Sequence, residues 1–277
     1  MTRVDPGPSL DDHFDLHESC TEEFRAKGHT VIRGLASKDE VECYRPAIHD
    51  AALAHAFDKR PIEERDTYGK PFLQAPNLWR RDEVVRRFTF ARRFAGVAAE
   101  LLEVDGVRLY HDQALFKEAG GGRTPWHQDQ HYWPLDTDRT VTMWMPLVDV
   151  PPEIGTMTFV SGSHRLGYLG EYGISDESQA AFDSMIAERS LPLETHGPAR
   201  AGDATFHAGW MLHSAPLNPT GTLRAVMTII YFADGTKVSE PTGPAQAFDL
   251  EVWLWGLAPG DLAAGKLNPL LYARDGG

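Results

Sequence analysis

The hexapeptide Thr124-Pro125-Trp126-His127-Gln128-Asp129 places an imidazole and a carboxylate two residues apart, directly after the glycines at 120–122. Residues i and i+2 of an extended strand point to the same face, so His127 and Asp129 can both reach one metal ion. A third donor, His213, follows much later in the chain. Two histidines and one carboxylate hold ferrous iron on one face and leave the opposite positions open. The motif therefore predicts an extended backbone and a metal centre.

The motif by itself is weak, because His-x-Asp occurs by chance in many proteins. The chain has 12 histidines, so a further histidine downstream is expected in any case. His131 and His207 lie close enough in sequence to compete as ligands. Their simpler interpretation is that each lines a pocket or makes a satisfied hydrogen bond.

Arg224 opens an apolar run at 223–232 and strengthens the metal hypothesis. A guanidinium that points inward needs an anionic partner, and its planar fork can bind both oxygens of a carboxylate. That partner is either an internal Asp or Glu or a dicarboxylate co-substrate. Gln113 and Lys117 share one face of the predicted strand 107–118. They either meet the other end of such a ligand or face solvent.

Hydrophobic periodicity and capping signals predict helices that precede a series of short strands. Helices are predicted at 18–27, at 38–57 after the capping box Ser37 to Glu40, at 82–103 and at 176–189. Strands are predicted at 29–32, 107–118, 140–148, 156–160, 203–207 and 223–232. Pro46 should kink or divide the second helix, and the stretch 248–257 fits a strand or a helix equally well.

This order of elements predicts a mainly β protein with flanking helices, built as a β-sandwich or jelly roll with helices against one sheet. No boundary divides the chain, so we expect one domain over 1–277, with a loose tail at 1–14 and the core at 107–233. The proline-bearing loop at 60–81 is expected to form a lid or a pocket wall.

Composition limits the classes of partner. Lys and Arg total 27 against 40 Asp and Glu, a net charge of −13 that disfavours nucleic acid and membrane surfaces. Cys20 and Cys43 fit reduced thiols. Residues 1–15 lack the apolar stretch of a signal peptide, and no window has the length of an apolar membrane span. We expect a cytoplasmic, soluble protein that acts on a small molecule, with its oligomeric state open.

The sequence resembles the phytanoyl-CoA dioxygenase-like (PhyH) family of iron(II)- and 2-oxoglutarate-dependent oxygenases, including its natural-product tailoring members. The resemblance covers about 31–232. It is strongest at 126–129, at 141–147 and at 161–164, where Ser161 replaces the proline of the family turn. The residues that resemble the C-terminal signature follow in order: Gly202-Asp203, His213, Asn218-Pro219 and Arg224.

The resemblance implies a double-stranded β-helix core (a jelly roll of the cupin-like type), with Fe(II) bound by His127, Asp129 and His213. It implies that Arg224 binds the far carboxylate of 2-oxoglutarate. Gln113 and Trp144 match positions beside the co-substrate, and Lys117 is a further member of that set. The family often has a serine two residues after the distal histidine. Ala215 stands there, so either Thr142 or another hydroxyl replaces it, or Arg224 holds the carboxylate with fewer partners.

The implied reaction uses O2 to oxidise an unactivated C–H bond of a small or medium-sized natural product, with release of succinate and CO2. The outcome is hydroxylation, ring closure or epimerisation, and the presence of Asp129 argues against halogenation. Aromatic side chains near the motif suit an apolar substrate. The predicted pocket residues are Trp126, His131, Trp133, Trp79 and Trp210.

Two alternatives use the same ligands without 2-oxoglutarate. A cupin-like metal-binding module or isomerase on the same barrel has no need of Arg224. A zinc hydrolase also uses two histidines and a carboxylate, and it predicts turnover without oxygen. The sequence leaves the substrate and the oxidised position open.

Overall fold

The computed structural model describes residues 7–65 and 72–274, which form six α-helices and eleven β-strands. Residues 1–6 of the predicted tail and residues 66–71 of the predicted lid loop lie outside the described residues. The prediction of a loose tail up to residue 14 is wrong, because Leu10 is buried in the core and its carbonyl accepts from the backbone N–H of Arg93. No helix within the described ranges is both long and apolar enough to cross a membrane.

The helices mostly precede the strands that carry the site. Their bounds are α1 Glu18–Lys27, α2 Lys38–His55, α3 Glu83–Thr89, α4 Arg92–Leu102, α5 Asp176–Arg189 and α6 Pro244–Val252. The strands are β1 His29–Ile32, β2 Leu73–Pro76, β3 Gly106–Phe116, β4 Thr124–His127, β5 Thr140–Pro146, β6 Thr158–Val160, β7 Leu193–Thr195, β8 Ala204–Ala208, β9 His213–Ala215, β10 Val226–Ala233 and β11 Leu270–Ala273.

Two antiparallel sheets organise the protein. The larger has seven strands in the order β1-β8-β5-β10-β3-β11, with β2 also paired to β3. The smaller has four, in the order β4-β9-β6-β7. Helices α2, α3 and α4 share one apolar core with a face of the larger sheet. The predicted packing of helices against one of the sheets is therefore confirmed, in a protein of mixed α and β composition.

Strand β5 shows how alternation places the site. Val141, Met143 and Met145 belong to the core against the helices, whereas Thr142 and Trp144 line a cavity on the opposite face. The two faces are those that the period-2 pattern predicts. Because that second face looks towards β4 and β9, the functional side chains lie between the sheets.

Local capping signals are confirmed. Helix α1 ends at Gly28, whose φ of +80° is a left-handed conformation that glycine adopts without strain. Ser37 and Glu40 form both hydrogen bonds of the capping box that opens α2. That helix continues through Pro46 as one element, so the proline does not divide it.

The single helix predicted at 82–103 is wrong. The chain forms α3 and α4 with a break at Ala91, whose ψ of 114° is extended. Thr89, the last residue of α3, donates its hydroxyl proton to buried Asp112, a tertiary contact with no local sequence signal. Helix α4 ends before Glu103, whose backbone is left-handed, and β3 begins at Gly106. The undecided stretch at 248–257 starts inside α6.

Candidate active site

The three predicted ligands converge at the edge of the smaller sheet. His127 at the end of β4 pairs directly with His213 at the start of β9, and their ring centroids lie 4.1 Å apart. Oδ1 of Asp129 lies 3.5 Å from Nε2 of His127 and 3.8 Å from Nε2 of His213. One donor atom from each residue lies within 4.8 Å of the others. This set can hold one metal ion.

The backbone around Asp129 differs from a continuous strand. Gln128 is extended, with φ −117° and ψ 126°, but Asp129 begins a 3-10 turn that ends at Tyr132. The side-chain amide of Gln128 fixes this junction, because it donates to the carbonyls of Gly167 and Trp210. One extended residue, Gln128, is therefore enough to bring the side chains of His127 and Asp129 to the same site.

Both ligand histidines present the nitrogen that a metal needs. Nδ1 of His127 lies 2.8 Å from the carbonyl of Pro125, and Nδ1 of His213 lies 2.9 Å from that of Met211. A carbonyl only accepts, so each Nδ1 carries the proton and each Nε2 keeps its lone pair. A hydrogen bond from the ring nitrogen that does not bind the metal is the usual way in which a protein orients an imidazole ligand.

The electrostatics favour the deprotonated ligands. Burial, followed by the neighbouring imidazole, lowers the pKa of His127 and of His213 to about 4. Burial opposes the charge of Asp129, yet the imidazoles of His213, His207 and His127 hold the pKa of that carboxyl well below its usual range. At neutral pH the site offers two neutral nitrogens and one carboxylate, the forms that bind a metal.

Asp129 has further partners on its second oxygen. Thr142 donates its hydroxyl proton to Oδ2 at 2.7 Å, and Nε2 of His207 lies 3.1 Å from the same atom. His207 therefore contacts the ligand carboxylate from outside the three-ligand cluster. His131 does not belong to that cluster and packs edge-on against Tyr132.

A pair of buried cations lies in the same region. Arg224 and Lys117 are both fully buried and face each other through an antiparallel backbone bridge. Nη1 of Arg224 donates to the carbonyl of Gly155, whereas its Nε and Nη2 have no partner among the described residues. The guanidinium carbon lies 5.4 Å from the ring centroid of Trp144. An anion is the missing complement of this guanidinium.

Lys117 is held by neutral oxygens. Its Nζ donates to the carbonyl of Pro216 at 2.7 Å and to the hydroxyl of Thr124 at 3.3 Å. Burial, with a smaller effect of Arg224, lowers the pKa of Lys117 to about 6, and burial lowers that of Arg224 to about 9. In the part of the chain that the structure describes, neither cation forms an ion pair with a carboxylate.

The triad and Arg224 open on one cavity of about 300 Å3. Gln113, Thr142 and Trp144 line it as well, and Gln113 accepts a hydrogen bond from Gln74. The other apolar and aromatic residues of the wall are Phe57, Phe72, Leu115, Tyr132, Trp133, Met157, Ile174, Ala215, Ile230, Ala245, Phe248 and Trp253.

Among the predicted pocket residues, Trp133 lines this cavity and the other four do not. The indole of Trp126 donates to Asp183 on α5, and its ring belongs to an apolar cluster with Phe182 of that helix. Trp79 donates to Asn77 and packs on Phe90. Trp210 lies edge-on against Tyr168, and the ring of His131 lies parallel to that same tyrosine.

The sequence does not predict one histidine and one carboxylate of the cavity wall, His111 and Asp249. Burial lowers the pKa of His111 to about 4, and its ring packs against Trp253. Asp249 accepts a hydrogen bond from the hydroxyl of Tyr110 at 2.8 Å, and burial raises its pKa to about 7. Asp249 lies on α6, in the stretch whose structure the sequence left undecided. Strand alternation is the one signal that points to His111, which lies two residues before Gln113 and therefore on the same face of β3.

Two imidazoles and a carboxylate beside a buried, unpaired guanidinium define the site of a non-haem iron oxygenase. The chain belongs to the phytanoyl-CoA dioxygenase (PhyH) family, whose model matches residues 24–226. It is thus an enzyme of the iron- and 2-oxoglutarate-dependent dioxygenases with an intact His-Asp-His triad. A zebrafish (Danio rerio) relative, phytanoyl-CoA dioxygenase domain-containing protein 1, is 21% identical over 283 residues, which cover 84% of this chain and 95% of the relative.

Two solved structures with the same fold are those of enzymes from nogalamycin biosynthesis. The epimerase SnoN, in complex with Fe3+, alpha ketoglutarate and nogalamycin RO, is 30% identical with a TM-score of 0.74, over 92% of this chain and 98% of SnoN. The carbocyclase SnoK, a non-haem alpha ketoglutarate-dependent enzyme, is 24% identical with a TM-score of 0.75, over 95% of this chain and 98% of SnoK. The latter likeness concerns the fold.

Proposed function

We propose that this protein uses iron(II), 2-oxoglutarate and O2 to oxidise an unactivated C–H bond of a small or medium-sized natural product, with release of succinate and CO2. The observation that carries the proposal is the unpaired, fully buried guanidinium of Arg224 in the cavity of the triad. A cupin-like isomerase or a zinc hydrolase gives this cation no role. A dicarboxylate co-substrate does, because its far end neutralises the guanidinium.

His127, Asp129 and His213 would hold the iron. The bound metal would supply, with O2 and the 2-oxo acid, the oxidising power that no side chain has. The chain contributes the binding of the far carboxylate through Arg224 and Lys117. The apolar walls contribute the exclusion of water.

Thr124 is the best source of the hydroxyl that Ala215 lacks. The two residues are directly opposite each other in the β4–β9 register, and the hydroxyl of Thr124 already contacts Lys117. Thr142, the other candidate, donates its proton to Asp129 instead. In this proposal Gln113 and Trp144 flank the co-substrate, as both line the cavity.

The remaining wall is the proposed substrate side. Its aromatic and aliphatic surface suits an apolar body, and His111 and Asp249 supply polar contacts. The likeness to SnoN, whose structure contains nogalamycin RO, supports a natural-product substrate. Ring closure or epimerisation is as compatible with these walls as hydroxylation.

The proposal extends to the architecture and location. The two sheets form the double-stranded β-helix of the family, and 1–277 act as one oxygenase domain. The two cysteines are free thiols, which fits a reducing cytoplasm.

Anaerobic titration tests this function. The Fe(II) protein should develop a metal-to-ligand charge-transfer band with 2-oxoglutarate. Arg224→Ala should weaken 2-oxoglutarate binding by about 100-fold, because a charge-assisted bidentate contact contributes about 3 kcal/mol, while Fe(II) affinity stays unchanged.

Arg108→Ala is the matched control, since Arg108 pairs with Asp234 outside the cavity; its 2-oxoglutarate affinity should equal that of the wild type. A wild-type Fe(II) protein that shows no band, or succinate formation without O2, would contradict the proposed function.

A further inference from the structure

We propose that His207 and Thr142 are positioning residues that hold the outer oxygen of Asp129, so that the carboxylate offers only Oδ1 to the metal. This inference rests on the proposed function and concerns the same site. In this inference His207, which is not a ligand, helps to keep coordination positions open for the co-substrate and O2.

The two oxygens of Asp129 face different groups. Oδ1 is the atom nearest Nε2 of His127 and of His213. Oδ2 accepts from the hydroxyl of Thr142 and from Nε2 of His207. Two hydrogen bonds occupy the lone pairs of Oδ2, so a carboxylate that is bidentate towards the metal would have to break them.

The two donors come from the opposite sheet. Thr142 and His207 are register partners on β5 and β8 of the larger sheet, whereas His127 and His213 lie on the smaller one. Asp129 belongs to a 3-10 turn, without strand pairing of its own. Its side chain is thus oriented by the larger sheet and offered to ligands of the smaller sheet.

The ring of His207 forms a hydrogen bond with Asp129 through Nε2 and leaves Nδ1 without a partner among the described residues. A carboxylate oxygen only accepts, so Nε2 carries the proton and Nδ1 is a bare acceptor. Nδ1 is buried and has no partner within residues 7–65 and 72–274. An unmatched buried acceptor destabilises the folded protein. A purely structural histidine would satisfy both nitrogens, as His29 does with His196 and Ser161.

The test measures metal affinity rather than turnover. Co(II) binding to the apoprotein would be followed by calorimetry for His207→Leu, Thr142→Val and the double variant. Loss of a contact that orients a ligand typically weakens metal binding by about 10- to 100-fold. We expect about tenfold weaker binding for each single variant and about 100-fold for the double variant.

Conservative variants separate positioning from packing. Gln places an amide N–H near the location of Nε2, so His207→Gln should bind Co(II) within about threefold of the wild type, as should Thr142→Ser. The Fe(II)·2-oxoglutarate charge-transfer band should lose intensity at saturating metal in His207→Leu and Thr142→Val, because a bidentate carboxylate competes with the co-substrate.

His29→Leu provides the control for loss of a buried histidine, since His29 pairs with His207 across β1 and β8 without contact to Asp129. It should lower the melting temperature and leave Co(II) affinity unchanged. Equal Co(II) affinity in the wild type and in Thr142→Val and His207→Leu would overturn the inference, as would an equal loss in His29→Leu. If His207→Leu does not fold, Thr142→Val decides. A wild-type protein that binds no metal would refute the proposed function instead.

Discussion

Lys117 is the residue whose chemistry depends most on the co-substrate. Its pKa is lowered to about 6 by burial beside Arg224, so at pH 8 the amine of the free protein is mostly neutral. A carboxylate bound at Arg224 would restore the charge of Lys117. We therefore predict that binding of 2-oxoglutarate at pH 8 takes up close to one proton, measurable by calorimetry in buffers of different ionisation enthalpy.

Because binding of 2-oxoglutarate is linked to protonation of Lys117, the affinity for 2-oxoglutarate should depend on pH. The 2-oxoglutarate dissociation constant should rise by about tenfold per pH unit above pH 6, because each binding event then requires protonation of the amine. Lys117→Met should abolish both the proton uptake and this slope. Without ligand, the unfolded state binds more protons than the folded state between pH 6 and 10.5, so this residue makes stability rise with pH over that window. A wild-type slope in Lys117→Met would contradict the assignment.

At the scale of elements, Asp112 on β3 ties two helical segments to the larger sheet. Its carboxylate accepts from the backbone N–H of Leu78 and Trp79 and from the hydroxyl of Thr89. Asp112→Ala leaves these donors unpaired, so we predict a loss of about 3 kcal/mol in the free energy of unfolding. Thr89→Val removes one of the bonds and should cost about 1 kcal/mol. Urea unfolding measures the loss of stability in both variants. Equal losses for Asp112→Ala and Thr89→Val would contradict the role of Asp112 as the shared acceptor of three hydrogen bonds.

Elements with local signals could be predicted from the sequence. The capping box at Ser37, the glycine after α1 and the alternation in β5 each act over a few residues, so their structures follow the pattern. The break at Ala91 has no such local signal, and the contact made beside it, from Thr89 to Asp112, joins residues that are distant in the sequence. Short strands such as β9 have too few residues for a periodic signal.

The residues of the site also divide into those that the sequence predicts and those that it does not. The ligands His127, Asp129 and His213 share a recognisable order in the chain, and the structure brings them together. The cavity wall depends on which loops and helices close over the sheets. Of the predicted tryptophans beside the motif, Trp133 therefore lines the cavity and Trp126 does not, and Asp249 on α6 has no signal in the sequence.

At the scale of the whole molecule, the cavity opens between segments that are distant in sequence. Phe57, just after α2, and Phe248 on α6 both line it, yet they are 67% and 57% exposed. Rings that are exposed at a cavity mouth gain burial when an apolar ligand covers them. We infer that the body of the substrate extends from the metal centre to this rim.

This extension predicts a particular kinetic effect. With a substrate identified by screening succinate release, Phe57→Ser and Phe248→Ser should each raise KM by about tenfold, because about 1.4 kcal/mol of apolar contact is lost in ground and transition state alike. The kcat and the affinity for 2-oxoglutarate should not change. Trp255→Ser is the matched control, since Trp255 is 63% exposed but does not line the cavity. No rise in KM for the two rim variants would place the substrate wholly inside the cavity. An equal rise for Trp255→Ser would show that the effect is not specific to the rim and would contradict the inference.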